Sequence, residues 1–159
     1  MLNAKVGNRD ELDMTCLAAR TAPGQARTLV ELRLASWGLA RLRDDATLIA
    51  SELVTNAVIH TPDDGEIRLR LTRQPMGVLL AVWDSSDARP VRKRSMWAVA
   101  GGAAADAEAL ALDHDDGTGG RGLLIVEELA DACGVTETEP RGKWVWARIG
   151  GAARRGRRR

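Results

Sequence analysis

Residues 44–84 read DDATLIASELVTNAVIHTPDDGEIRLRLTRQPMGVLLAVWD, and a change of period inside this stretch decides the fold. Up to His60 the apolar residues Leu48, Ile49, Leu53, Val54, Ala57, Val58 and Ile59 crowd a helical pattern over about 44–60. Pro62 and the turn residues Asp63, Asp64 and Gly65 end it. Beyond them Ile67, Leu69 and Leu71 alternate with Arg68 and Arg70, the signature of a half-buried strand. Gln74-Pro75-Met76-Gly77 then turns the chain into a continuous apolar run, VLLAVWD, that ends at Asp84. A helix followed by a hairpin is the expected unit.

Working outward, Leu12 to Ala19 suits a first strand, and residues 1–11 are expected to be a flexible N-terminus. Pro23 fits the first turn of a helix that carries Ala26, Leu29, Val30, Leu34 and Trp37 and stops at Gly38. Between Ser85 and Thr118 the pattern breaks down into alanine, glycine and acid, with a short helix suggested at 103–112. A loop of that length in a compact domain is either functional or disordered. Gly119 to Ala132 is again helical, and strands near 133–139 and 143–149 close the unit, the last with Val145, Ala147 and Ile149 alternating with Trp144, Trp146 and Arg148. Hairpins separated by helices predict a single α+β domain over 12–150. It would be a two-layer sandwich of a mixed, mostly antiparallel sheet with helices on one face.

The bulk numbers agree with one ordinary globular domain: 159 residues, 45% hydrophobic and 28% charged. No stretch approaches the roughly 18–20 apolar residues of a membrane span. The opening MLNAKVGNRDELD has no apolar signal core, so a cytoplasmic protein is expected, with Cys16 and Cys133 reduced. The net charge of +1 conceals an asymmetry: Arg154, Arg155, Arg157, Arg158 and Arg159 cluster in a tail, 151–159, read as disordered. Without those five the body is acidic, which argues against a nucleic-acid reader. Contact of the tail with a polyanion stays a minor alternative.

Chemistry concentrates at three places. Glu52, Asn56 and His60 follow one another at intervals of four and share a helix face in apolar surroundings. A partly buried carboxylate and amide need partners. A magnesium ion with its bound phosphates would supply them, Asn56 giving a neutral oxygen ligand and Glu52 taking a proton from an attacking hydroxyl. A polar stripe facing solvent is the alternative. Second, Gly117, Gly119, Gly120, Arg121, Gly122 and Leu123 form a glycine-rich turn before a helix, where backbone N–H groups and the helix dipole favour phosphate. The spacing also matches a dinucleotide fingerprint. That version needs a buried strand before the first glycine, and Asp113-His114-Asp115-Asp116 cannot be one. A merely flexible loop stays open. Third, Asp84 leaves the core at a strand end, placed either to accept the exocyclic amine of adenine or simply to start a turn.

In this order the three elements resemble the GHKL superfamily of gyrases, histidine kinases and mismatch-repair ATPases. They are most similar to the small anti-sigma-factor serine kinases of bacterial partner switching. The resemblance covers about 12–149: SELVTNAVIH is similar to the N-box, VWDSSDARP to the adenine box and GTGGRGLLIVEELAD to the glycine box. It implies a Bergerat-type fold, with Glu52 as catalytic base, Asn56 as Mg²⁺ ligand and Asp84 on the adenine amine. Gly117, Gly119, Gly120, Arg121, Gly122 and Leu123 would cover the triphosphate, and 85–118 would be the ATP lid. Ser85-Ser86-Asp87-Ala88 departs from the glycines that follow the aspartate elsewhere in the superfamily. The implied activity is Mg-ATP-dependent phosphorylation of a serine on an anti-sigma-factor antagonist, by a protein that also engages a sigma factor and forms a homodimer. A module that binds ATP and sequesters its partner without turnover would need the same residues.

Overall fold

The computed structural model describes residues 3–5, 9–62, 64–86, 98–99 and 119–150. In chain order these form β1 (Asn3–Lys5), β2 (Glu11–Leu17), α1 (Ala22–Ser36), a 3₁₀ turn (Ala40–Leu42), α2 (Arg43–His60), β3 (Glu66–Gln74), β4 (Gly77–Asp84), β5 (Ala98–Val99), α3 (Gly119–Leu129), β6 (Ala132–Glu137) and β7 (Lys143–Ile149). The strands make one sheet in the order β1-β2-β3-β4-β7-β6-β5. Every pair is antiparallel except β5 with β6. The expected mixed, mostly antiparallel sheet in an α+β sandwich is what forms.

Register follows from burial. Cys16 pairs with Ile67, Met14 with Leu69, Leu69 with Val82, Leu80 with Ala147 and Val82 with Val145, so the apolar residues of four strands lie in continuous rows on one face. A slip of one residue would turn a whole strand's apolar set outward, so the pairing is strongly specified. α1 buries Ala22, Ala26, Val30 and Leu34, while α2 buries Ala46, Ile49, Ala50, Leu53, Val54 and Ala57. The small residues let the two helices pack closely, and α2 also lies against α3 and β4. The opposite sheet face carries polar partners instead: Arg70 pairs with Glu11 at 3.1 Å, and Arg68 and Arg70 lie over the Trp144 ring at 5.7 and 5.0 Å.

Local signals set the element ends. Gly38 adopts φ 71° after α1. Its N–H bonds the Ala35 carbonyl at 3.1 Å, and the Leu39 N–H bonds the Leu34 carbonyl at 2.9 Å. This is the paired closure that a left-handed glycine allows. Asp44 and Asp45 in the first turn of α2 complement its dipole. Three boundaries differ from expectation. Asn3–Lys5, within the stretch expected to be loose, pairs with β2 as an edge strand. Within 85–118, Ala98–Val99 adds a short strand beside β6. α3 stops at Leu129 rather than Ala132, because the Asp131 N–H turns to the Arg148 carbonyl at 2.8 Å and hands the chain to the sheet. The suggested helix at 103–112 and the tail 151–159 lie outside the described residues.

Candidate functional site

α2 is apolar where it meets the sheet, and its polar residues fall on one remaining strip. Asn56 is only 9% exposed, and Glu52, one turn earlier, is half-buried. Neither side chain bonds to another described residue, whereas the buried Asp84 and Lys143 are bonded to each other. A buried amide without a protein partner is costly unless a ligand or ion completes it. His60, at the end of the same face, is also half-buried.

The glycine turn meets this strip. Gly119 and Gly120 open α3, and a Cβ added to Gly122 would overlap the Glu52 carboxylate and stand 3.6 Å from its Cβ. Glycine at this position is therefore what lets the first turn of α3 lie against Glu52. The leading N–H groups of a helix have no intrahelical partners, so the turn offers donors and a positive dipole end beside that carboxylate. Leu123 is 1% exposed with its side chain in the core, where it anchors the turn. Gly117 and the Arg121 side chain lie outside the described residues.

Asp84 ends β4 on the helix-facing side of the sheet and is 1% exposed. Its Oδ1 accepts the Ser86 N–H at 2.9 Å, a local turn, and the Lys143 ammonium at 2.8 Å. Lys143 also donates to the Ser86 carbonyl at 3.1 Å and is itself only 2% exposed. The pair sits in register, Asp84 opposite Lys143 on adjacent strands. The tight turn before β7 frames it. Gly142 has φ 89°, and a Cβ there would stand 2.6 Å from the Asp84 carbonyl oxygen and 2.7 Å from the Trp83 ring. The Trp83 indole N–H donates to Thr138 Oγ1 at 3.0 Å across the same turn.

Lys143 is the site residue that sequence reasoning missed. The signal was present: Val145, Ala147 and Ile149 face inward, and one more step of two reaches Lys143.

The donor set suits a magnesium ion, which takes oxygen ligands, keeps several waters and is held by few protein groups together with phosphate. Asn56 supplies an amide oxygen and Glu52 a carboxylate, neither with a partner among the described residues, and the missing side chain of Gly122 lets the turn lie against Glu52. A two-layer α+β domain with these groups on its helical layer and a buried aspartate at a central strand end suits a nucleotide, and the family match makes it an ATP-binding ATPase domain. The chain belongs to the family of histidine kinase-like ATPase domains, whose model matches residues 17–149 and so includes every site residue discussed. A search of curated proteins finds no match. Among the described residues no helix is long and apolar enough to cross a membrane.

Proposed function

We propose that this domain is a Mg-ATP-dependent protein-serine kinase whose substrate is an anti-sigma-factor antagonist. The observation that carries the proposal is the apposition of Glu52, a carboxylate without a described partner, to Gly122 in the first turn of α3. That apposition puts a carboxylate beside backbone donors suited to phosphate, two of the parts that transfer of a γ-phosphoryl group to a hydroxyl uses. The N–H groups at the start of α3 would bind phosphate oxygens, and Glu52 would hold the incoming serine hydroxyl and accept its proton as the oxygen attacks phosphorus. Asn56 would hold the metal, which when bound neutralises charge on the phosphates. Asp84 would accept the adenine amine. Phosphoryl transfer depends mainly on such positioning and electrostatics, with little covalent work for the protein.

The test is transfer of label from ATP, marked on its γ-phosphate, to purified anti-sigma-factor antagonists that bear the acceptor serine. Phosphoserine should form with the wild type and fall to background with Glu52→Gln, while ATP affinity stays within about threefold because the base acts on the hydroxyl rather than on the nucleotide. ATP binding without transfer to any such antagonist would favour a module that sequesters its partner, a sigma factor included, without turnover.

A further inference from the structure

The Asp84–Lys143 pair has unused hydrogen-bonding capacity. Both recorded bonds to Asp84 fall on Oδ1, and Oδ2 accepts none from a described residue. An ammonium has three N–H donors. Lys143 directs two of them to Asp84 Oδ1 and the Ser86 carbonyl, and its third has no acceptor among the described residues. A spare acceptor and a spare donor thus stand side by side on neighbouring strands, in residues 1% and 2% exposed. Charged groups so far from water gain most from a ligand that completes them. The complementary ligand edge is an amine next to an unprotonated ring nitrogen.

Building on the reading that Asp84 accepts adenine's exocyclic amine, we propose that Lys143 is a specificity-determining residue that donates to the adjacent ring nitrogen, N1. Acid and ammonium together would then read the 6-amino group and N1 as one edge. A 6-oxo purine held in the same pose would set a carbonyl against the carboxylate and an N–H against the ammonium. Both contacts are repulsive, and rejection of that kind discriminates more strongly than a lost attraction.

Calorimetry on the full chain with ATP, 1-deaza-ATP (which lacks the N1 acceptor) and inosine triphosphate tests this. Loss of a hydrogen bond to a charged group should weaken 1-deaza-ATP by about ten- to a hundredfold relative to ATP, with inosine triphosphate weaker still. In Lys143→Met the ATP to 1-deaza-ATP ratio should collapse to about one, since the methionine offers N1 no donor. Should that variant fail to fold, the nitrogen-15 signal of the Lys143 ammonium in the wild type decides: it should shift with ATP and stay in place with 1-deaza-ATP. Equal affinity for the two nucleotides, a ratio unchanged in Lys143→Met, an ammonium signal indifferent to N1, or tighter ATP binding by Lys143→Met would each overturn the assignment. ATP binding without discrimination at N1 would sink Lys143's role alone. A folded wild type that binds no nucleotide would remove the reading of the site as well.

Discussion

Gly122 and Glu52 share one volume: the space a Cβ would fill on the glycine is taken by the carboxylate. The two residues are seventy positions apart in sequence, on α3 and α2, and each makes sense only beside the other. Gly122→Ala separates function from folding here. The nearest atom is the far end of a flexible side chain, so Glu52 can swing aside, and alanine is the better helix former by about 1 kcal/mol. Urea melts should show stability unchanged within about 1 kcal/mol. Phosphoryl transfer should fall by about a hundredfold, the usual result of an ångström's misplacement.

Asn56 tests the same strip from the metal's side. Asn56→Leu keeps the volume and removes a buried amide that has no described partner. Thermal unfolding should show stability within about 1 kcal/mol of the wild type, because no hydrogen bond to a described residue is lost. Calorimetry should show that Mg²⁺ no longer strengthens ATP binding. A variant that is destabilised yet keeps its Mg²⁺ dependence would mean that Asn56 serves the fold instead.

Breaking the Asp84–Lys143 pair should be expensive. Lys143→Met leaves a buried carboxylate without its cation and should destabilise by about 3–5 kcal/mol in urea titrations. Adding Asp84→Asn should recover most of that loss, since a buried ion pair replaced whole is often close to neutral. A double mutant as unstable as the sum of its parts would show that the two residues act independently.

Cys16 provides a pH dependence. Its thiol is pushed up from the ordinary value by burial. A raised folded value means that the unfolded chain ionises first. This contribution to stability is therefore intact below the ordinary thiol range, about 8.5, and is lost as the pH climbs from there through the folded value. Denaturation from pH 7 to 10 should show a fall in stability that is shallower in Cys16→Ala.

Much of the architecture was legible because burial imposes period. The alternation of Ile67, Leu69 and Leu71 and the continuous run to Asp84 became β3 and β4, and Gly38 ended α1 as its backbone freedom suggests. Glu52 and Asn56 stood out because polar residues on an apolar helix need a reason. What stayed hidden depends on distant partners. Lys143 begins its strand after a turn, where a lysine is ordinarily solvated, and only the β4–β7 register reveals that it meets Asp84. β1 has three residues and β5 two, too few to show any period, and both exist through pairing with a neighbour.

The central claim is that phosphates bind between α2 and the start of α3. Chemical-shift mapping of the nitrogen-15-labelled chain during titration with Mg-ATP tests it most directly. The account predicts that the backbone amides of Gly119, Gly120 and Gly122 and the side-chain amide of Asn56 shift together, with the Asn56 response lost when Mg²⁺ is withheld. Shifts that leave those four groups in place and gather on the opposite sheet face, around Trp144, would contradict it.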